Sequence, residues 1–222
     1  MAENNIEQAR FNMVQQQIRP WEVLDQQVLS TLTGVPREDF VPDGYRNVAF
    51  ADIEIPLGHG EHMMKPVIEA RMLQALAVRP TDKVLEIGTG SGFITACLAS
   101  LGGYVTSLDI HADFTAQAHA RLEKLGLRNV TVKTADALAI PSDNRSFDVI
   151  AVTGSVPDPK AVELLQNQLN IGGRLFVIVG EAPVMEACLI TRVGDNQWRR
   201  EMLFETEIAP LVNVAAPEPF TF

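Results

Sequence analysis

Apolar residues in the middle of the chain recur in two alternating patterns, one typical of buried strands and one typical of amphipathic helices. Short apolar runs predict strands at 83–87, 104–108, 130–134, 147–152 and 174–179. Between them, helical spacing predicts helices at 92–100, 113–125 and 159–169. Because strand and helix alternate regularly, we expect an α/β fold with a parallel sheet covered by helices on both faces.

The alternation stops after the fifth of these strands. Residues 187–193 and 198–208 have strand-like patterns and flank the turn signal Gly194-Asp195-Asn196. We therefore expect a hairpin-like end, which completes a seven-stranded, mostly parallel sheet. Dinucleotide-binding folds usually continue with another helix and another parallel strand, so this ending does not favour them.

The pattern at the N-terminus, before the first core strand, predicts a helical segment that we call the cap. Asn5 is placed to cap a helix that runs to about Ile18 and is stopped by Pro20, and a second helix is expected at 25–32. Prolines at both ends of 35–42 exclude regular helix and predict a turn-rich connector.

A short strand, a loop and a helix are expected between the connector and the core. Residues 52–57 alternate polar and apolar positions like a strand, and the glycine-flanked stretch 58–65 reads as a loop. Proline is favourable in the first turn of a helix, so Pro66 is expected to begin a helix that continues through Leu76.

Three glycines follow the first core strand in the run Val84-Leu85-Glu86-Ile87-Gly88-Thr89-Gly90-Ser91-Gly92. Glycine tolerates positive φ and lets a ligand approach the backbone, and the next helix presents unpaired N–H groups at its N-terminus. A dinucleotide loop requires glycine where this chain has Phe93. The Glu-x-Gly-x-Gly-x-Gly spacing instead resembles the first motif of S-adenosylmethionine-dependent methyltransferases with a Rossmann-like fold.

Acidic residues follow three consecutive strands of the predicted sheet. Glu86 ends the first strand, Asp109 ends the second and Asp136 follows the third. Ligands of such sheets bind at the carboxyl ends of the strands, where these carboxylates can accept hydrogen bonds from ribose hydroxyls and from an adenine amino group. Each carboxylate by itself can equally be a helix cap or a solvated loop residue.

Together with the glycine loop, these carboxylates predict a binding site for S-adenosyl-L-methionine, with S-adenosyl-L-homocysteine as its product. The residues that we assign to the cofactor are Glu86, Gly88, Thr89, Gly90, Gly92, Asp109, Ile110, Asp136, Ala137 and Thr153.

Composition and charge restrict the possible partners and compartments. The net charge of −10 and the pI near 4.8 disfavour nucleic acid, and the basic pair Arg199-Arg200 is expected to flank a surface strand. Residues 1–5 lack the pattern of a signal peptide, and no apolar run reaches the roughly 18 residues of a membrane span. We therefore expect a cytoplasmic protein that binds neither membrane nor nucleic acid, with Cys97 and Cys188 buried and reduced.

One family shares segments with most of the chain, at 13–14, 17–18, 35–42, 51–52, 55–60, 84–92, 147–154, 168–169, 172–175 and 209–211. The chain resembles this family, the protein-L-isoaspartate O-methyltransferases. The resemblance implies a Rossmann-like class I methyltransferase and methyl transfer to the free α-carboxyl of L-isoaspartyl residues in damaged proteins, which starts their repair. The length of 222 residues and the 46% of hydrophobic residues predict one domain over 1–222, divided into a cap with the acceptor loop (1–65) and a cofactor-binding core (66–222).

The acceptor loop departs from the family pattern. The family usually reads Gln-Thr-Ile-Ser-Gln-Pro where this chain reads Glu61-His62-Met63-Met64-Lys65-Pro66, so that Met64 occupies the serine position. A thioether cannot donate a hydrogen bond to a carboxylate. Because a carboxylate acceptor with a reference pKa of about 3.9 is already ionised at neutral pH, the reaction needs alignment and no general base.

Two further hypotheses remain open from the sequence. His59 or His62 beside the acceptor would act as a general base for a hydroxyl, which makes a small-molecule O-methyltransferase the alternative. A protein that binds the cofactor without transferring methyl groups is the third hypothesis. We assign His59, His62 and Met64 to the acceptor side, and the oligomeric state is not determined by the sequence.

The loop does not predict a metal site. His59, His62 and Glu61 share the loop, but no fourth ligand accompanies them, so no bound metal is expected. The other two histidines, His111 and His119, are expected on the surface or on a helix face.

Overall fold

The computed structural model describes residues 2–139 and 147–214 of the 222-residue chain. The cap begins with helix α1 (Ala2–Asn12), which continues through π-helical turns (Met13–Ile18) into a 3-10 turn (Arg19–Trp21). The prediction that Asn5 is the N-cap residue of this helix is wrong, because Asn5 lies inside α1. Pro20 does not stop the helical path ahead of it, since proline is tolerated in the first turn of the 3-10 segment.

The second helix of the cap, α2 (Gln26–Gly34), is confirmed where the sequence predicts it. Asp25 caps it, since the Asp25 side chain accepts hydrogen bonds from the backbone N–H groups of Gln27 and Val28 at 2.8 and 3.1 Å. The proline-flanked connector contains only a short 3-10 turn (Arg37–Asp39), followed by another over Asp43–Val48.

A two-stranded hairpin occupies the stretch for which a strand and a loop are predicted. Strand β1 (Ile55–Gly58) pairs antiparallel with β2 (Glu61–Met63), so the prediction of an uninterrupted loop at 58–65 is wrong. The chain reverses because Gly58, His59 and Gly60 all have positive φ, at 118°, 54° and 85°. Helix α3 (Pro66–Leu76) then follows with the predicted boundaries.

The core contains seven strands and three further helices within the described residues. The strands are β3 (Lys83–Ile87), β4 (Tyr104–Asp109), β5 (Val130–Thr134), β6 (Phe147–Val156), β7 (Leu169–Glu181), β8 (Val184–Gly194) and β9 (Gln197–Thr206). The helices are α4 (Phe93–Leu101), α5 (Ala112–Lys124) and α6 (Pro159–Gln166). Leu169 begins a strand and does not end a helix as predicted, because its backbone pairs with β6 at Phe147.

The seven strands form one sheet in the order β5-β4-β3-β6-β7-β8-β9. The first five strands in this order, β5, β4, β3, β6 and β7, pair in parallel. Strand β8 is antiparallel to both of its neighbours, β7 and β9. This is the Rossmann-like arrangement of class I methyltransferases, and the predicted seven-stranded, mostly parallel sheet is confirmed. The chain runs outward from β3 to β5 and then returns to β6 on the other side of β3, so the topological switch point lies at the carboxyl end of β3.

Side-chain alternation along the strands divides the core into two layers. Val84 and Val105 face the layer that contains α3, α4 and the buried residues of the cap, whereas Leu85 and Ile87 face the layer that contains α6. Helices therefore cover both faces of the sheet, as predicted. Within the described residues, no helix is both long enough and apolar enough to cross a membrane.

Candidate functional site

A cleft lies at the carboxyl ends of the central strands, where the sheet order reverses. It encloses about 960 Å³, counting the space that is open to solvent. Its walls come from the glycine loop, the ends of β4 and β5, the hairpin and the segment after β9. The main lining segments are 61–64, 87–91, 108–111, 135–138, 153–154 and 208–212.

The glycine loop brings bare backbone to the cleft. Gly88 has φ 93°, and a Cβ at this position would lie 2.2 Å from Thr153 Oγ1. That hydroxyl is held in place because it donates to the carbonyl oxygens of Gly88 and Ile87 at 2.7 and 3.0 Å. Gly90 also lines the cleft with a positive φ of 50°. The loop conformation and the packing against Thr153 therefore both require glycine at position 88.

Gly92 has a packing role instead. A Cβ at Gly92 would lie 2.8 Å from the Cβ of Ala118, so this glycine lets α5 approach the start of α4. The sequence predicts that Gly92 contacts the cofactor. In the structure, Gly92 is not among the residues of the cleft wall. A sequence pattern does not distinguish a glycine that admits a ligand from a glycine that admits a helix.

The Asp109 carboxylate joins two loops at the wall of the cleft. Its Oδ2 accepts a hydrogen bond from the backbone N–H of Gly90 at 2.8 Å, and its Oδ1 accepts one from that of His111 at 2.9 Å. The side chain is buried, yet it borders the cleft. Each oxygen keeps a lone pair, so Asp109 can accept further hydrogen bonds from a ligand there.

Asp136 occupies the corresponding place after β5. Its Oδ1 accepts from the backbone N–H of Leu138 and its Oδ2 accepts from the side-chain amide of Asn213, both at 2.9 Å. The predicted residues Ile110 and Ala137 border the cleft beside the two carboxylates, as do Thr89 and Thr153.

Glu86 lies beneath the glycine loop and not on the cleft wall. Its Oε2 accepts hydrogen bonds from the hydroxyls of Thr95 and Ser107, and the Ser107 hydroxyl in turn lies 2.6 Å from that of Thr89. Burial raises the pKa of Glu86 to about 8, although both hydroxyls oppose this rise. Glu86 therefore lies among the packed hydroxyls that support the loop, and its direct contact with the cofactor stays a prediction.

The hairpin closes the opposite side of the cleft. Met64 is buried against the cleft, and its backbone carbonyl accepts a hydrogen bond from Arg37 Nη2 at 2.9 Å. The buried Arg37 guanidinium also donates to the carbonyl of Ala49 at 2.8 Å and forms an ion pair with Glu69. Burial raises the pKa of Glu69 and the Arg37 charge opposes that rise. The end of the hairpin is thus attached to the core through the Met64 backbone, whatever side chain this position carries.

The histidines of the hairpin have different surroundings. His62 is exposed and borders the cleft, and the neighbouring Glu61 carboxyl has a pKa that partial burial raises. His59 is not on the cleft wall, because its ring stacks on His111 with centroids 4.2 Å apart and its Nε2 lies 3.0 Å from Asp113 Oδ2. The direction of the turn at 58–60 thus carries His59 away from the acceptor side to which the sequence assigns it.

His111 is half-buried and borders the cleft, so its expected location on the surface is only partly right. His119 lies on the exposed face of α5, with Nδ1 3.6 Å from Glu123 Oε2, as predicted. Cys97 and Cys188 are free and buried, as predicted.

The segment after β9 is a part of the site that periodicity did not indicate. Residues 208–212 border the cleft and are held by Ser155, whose backbone N–H donates to Ala209 O and whose carbonyl accepts from Leu211 N, both at 2.9 Å. Gly154 makes room, since a Cβ there would lie 2.8 Å from Leu211 Cδ2. The only sequence signal for this segment was the match at 209–211.

The chain matches one family model, described as Protein-L-isoaspartate(D-aspartate) O-methyltransferase, over residues 8–216. A protein-L-isoaspartate O-methyltransferase of Koribacter versatilis (strain Ellin345) is 38% identical over 204 residues, which cover 91% of this chain and 90% of the relative. One of Rhodopseudomonas palustris (strain ATCC BAA-98 / CGA009) is 36% identical over 211 residues, covering 93% and 96%.

Two solved structures share the fold of this chain. A structure described as a protein-L-isoaspartate O-methyltransferase superposes with a TM-score of 0.78 at 23% identity and covers 93% of this chain and 67% of its own. A Plasmodium falciparum structure of the same description, in complex with S-adenosyl-L-homocysteine, has a TM-score of 0.77 at 19% identity and covers 93% and 97%.

Proposed function

Since the chain belongs to the protein-L-isoaspartate(D-aspartate) O-methyltransferase family, we propose that it transfers a methyl group from S-adenosyl-L-methionine to the free α-carboxyl of L-isoaspartyl residues in damaged proteins. The ester product is the starting point of repair. The substrate is an isoaspartyl peptide or protein, and neither nucleic acid nor membrane takes part.

The observation that carries the proposal is the pair of carboxylates at the switch point. Asp109 and Asp136 follow neighbouring strands, border one cleft and each accept hydrogen bonds that hold them in place. Asp109 fits the ribose hydroxyls and Asp136 fits the adenine amino group, because both need acceptors. The bare backbone at Gly88 and Gly90 admits the amino-acid part of the ligand, and the acidic surroundings favour its positive charges.

When it is bound, the cofactor supplies a methyl group on a positively charged sulfur. The work left to the chain is to align the acceptor carboxylate with that methyl group and to exclude water. No residue needs to remove a proton, because a carboxylate with a reference pKa of about 3.9 is ionised at neutral pH. Met63, Met64 and Leu57 supply an apolar wall on the hairpin side of the cleft.

We further propose that His62 contacts the acceptor, because it is the exposed polar side chain of the hairpin that borders the cleft. A ring N–H of His62 can donate to the carboxylate, a contact that Met64 is unable to make. His59 has no direct part in this proposal, since it lies off the cleft wall and pairs with Asp113.

The test is methyl transfer from labelled S-adenosyl-L-methionine to an isoaspartyl peptide and to its normal aspartyl counterpart of the same sequence. We expect methylation of the isoaspartyl peptide alone, and we expect none with the Asp109→Ala variant. Calorimetry with S-adenosyl-L-homocysteine checks the cofactor separately. Cofactor binding with transfer to neither peptide would overturn the assignment of the acceptor, and the absence of cofactor binding would overturn the whole proposal.

We propose one domain, because buried residues of the cap such as Met13 and Phe40 belong to the same apolar cluster as Val84 of the sheet. We propose a cytoplasmic location, in agreement with the two free, buried thiols.

A further inference from the structure

Three side chains with metal-binding chemistry meet beside the cleft, and one of them, His111, borders it. They are His59 at the tip of the hairpin, His111 directly before α5 and Asp113 in the first turn of α5, and one ligand atom from each lies within 4.8 Å of the other two. We propose that this cluster, the His59–His111–Asp113 site, binds a divalent transition-metal ion of the zinc type.

The distances are close to those that a zinc site needs. Zinc binds imidazole nitrogen and carboxylate oxygen at about 2.0–2.2 Å, which places the ligand atoms of a tetrahedral site about 3.3–3.6 Å apart. His59 Nε2 is already 3.0 and 3.1 Å from the two oxygens of Asp113. The side chains of His59 and Asp113 are 46% and 52% exposed, so both have room to rotate toward a shared ion.

The charges also suit a metal. Asp113 supplies a carboxylate, whose negative charge favours a divalent cation. Among residues 2–139 and 147–214, no lysine or arginine forms an ion pair with Asp113. Two imidazoles and one carboxylate are the ligand set of several zinc sites, in which water completes the coordination.

The surroundings of His111 give an independent reason to expect a bound ion. The Nε2 of His111 is buried and has no hydrogen-bond partner within the described part of the chain. A buried polar atom without a partner is uncommon in folded proteins and calls for an ion, a water or a functional role. Its ring is stacked on that of His59, with an interplanar angle of 9°, and both rings make T-shaped contacts with Phe114. Because an imidazole binds a metal ion in its ring plane, the exposed His59 ring has to rotate out of this stack when the ion binds.

The backbone arrangement explains why the sequence predicted no metal site. That prediction considered only His59, Glu61 and His62 of the loop, whereas the fold adds His111, directly before α5, and Asp113, in the first turn of α5. An ion bound here would join the hairpin, which carries His62 and Met64 on the cleft, to the loop that begins at Asp109. We therefore expect metal binding to restrain the hairpin over the cleft.

Metal binding to the untagged full-length chain, after treatment with a chelator, tests the proposal. Calorimetry with Zn²⁺ is expected to give one ion per chain with micromolar affinity, and Co²⁺ is expected to give a visible absorption band typical of bound imidazole and carboxylate. The His59→Ala variant should lose about tenfold or more in Zn²⁺ affinity, since loss of even an outer contact to a metal ligand costs about 10–100-fold.

His119→Ala is the matched control, because this exposed histidine lies on the same helix as Asp113 and outside the cluster. It should bind Zn²⁺ like the unmodified chain. Asp113→Asn provides a second test at an exposed position, and circular dichroism checks that each variant is folded. Zn²⁺ affinity no tighter than millimolar, or equal affinity in the His59→Ala, Asp113→Asn and His119→Ala variants, would overturn the proposal. Methyl transfer to isoaspartyl peptide is measured separately, so the two proposals can fail independently.

Discussion

The two sides of the cleft are built by different means. On the cofactor side, the carboxylates of Asp109 and Asp136 accept hydrogen bonds from backbone amides, and the glycine loop packs directly against Thr153. On the hairpin side, side chains border the cleft, among them those of the exposed His62 and the buried Met64. The cofactor side is therefore determined mainly by backbone geometry, whereas the hairpin side is determined by which side chains its short strands carry.

This difference explains how the hairpin can depart from the family pattern without loss of the fold. Its end is anchored by the Met64 carbonyl, which accepts from Arg37, and Arg37 is fixed by its ion pair with Glu69. This backbone anchor does not depend on the side chain at position 64. Changes on the cofactor side should consequently reduce ligand binding strongly, and changes in the hairpin should alter the acceptor while the protein stays folded.

The largest effect is expected from Gly88→Ala. The new methyl group would overlap Thr153 Oγ1 at 2.2 Å and would also require alanine at φ 93°. Strain of about 1–2 kcal/mol and loss of the two Thr153 hydrogen bonds should weaken S-adenosyl-L-homocysteine binding by about 100-fold or more in calorimetry. Gly126→Ala is the control, because Gly126 has φ 73° and a Cβ added there would meet no atom within 4 Å. Equal loss in both variants would show that strain alone matters and that close packing of the loop does not.

Asp109→Asn should have the next largest effect. The amide keeps the size of the side chain, but its NH₂ group faces a backbone N–H donor at either Gly90 or His111. Loss of a charged hydrogen bond of about 1.5–3 kcal/mol predicts cofactor binding weakened by about 10–100-fold. Asp25→Asn is the matched control, since Asp25 also accepts from two backbone N–H groups but caps α2. Unchanged cofactor affinity in Asp109→Asn would contradict the assigned role.

Met64→Ser tests the acceptor contact on the hairpin side of the cleft. A hydroxyl at this position restores a donor toward the acceptor carboxylate, and one such bond of about 1.5 kcal/mol corresponds to about tenfold in kcat/KM for isoaspartyl peptide. Cofactor affinity should remain unchanged. Met63→Ser is the control, because Met63 is equally buried and also borders the cleft. A similar gain in both variants, or none in Met64→Ser while it stays folded, would contradict the alignment of the loop.

The smallest effect on ligand binding is expected from Glu86→Gln. In the folded chain Glu86 keeps its proton up to a pKa of about 8, whereas its ordinary value is 4.5. Between these values the folded state binds more protons than the unfolded state, so this residue makes the unfolding free energy fall as the pH rises. Glutamine does not titrate, so the stability of Glu86→Gln should depend less steeply on pH in this window.

Denaturant unfolding at several pH values measures this slope, with the exposed Glu163→Gln as control. Cofactor affinity should stay close to that of the unmodified chain, because Glu86 lies beneath the loop and does not border the cleft. A large loss of cofactor affinity would instead restore the direct contact expected from the sequence.

Local patterns predicted most of the elements, and the errors have identifiable causes. The boundaries of β3, β5 and α3 agree with the prediction because short apolar runs and a helix-starting proline are local signals. The hairpin was partly missed because its three-residue second strand is too short to show a period. The extra length of β7 comes from pairing with β6 and β8, which no local pattern records.

The order of strands and helices, the glycine loop, the carboxylates after consecutive strands and the resemblance to one family can all be read from the sequence. Which of those residues reach the cleft depends on the packing of the fold. It placed Glu86 and Gly92 behind the loop, turned His59 outward, and brought His111 and the segment 208–212 to the wall. The physical reason is that periodicity records which positions are buried, whereas the direction of a side chain and its distant neighbours depend on how separate elements pack.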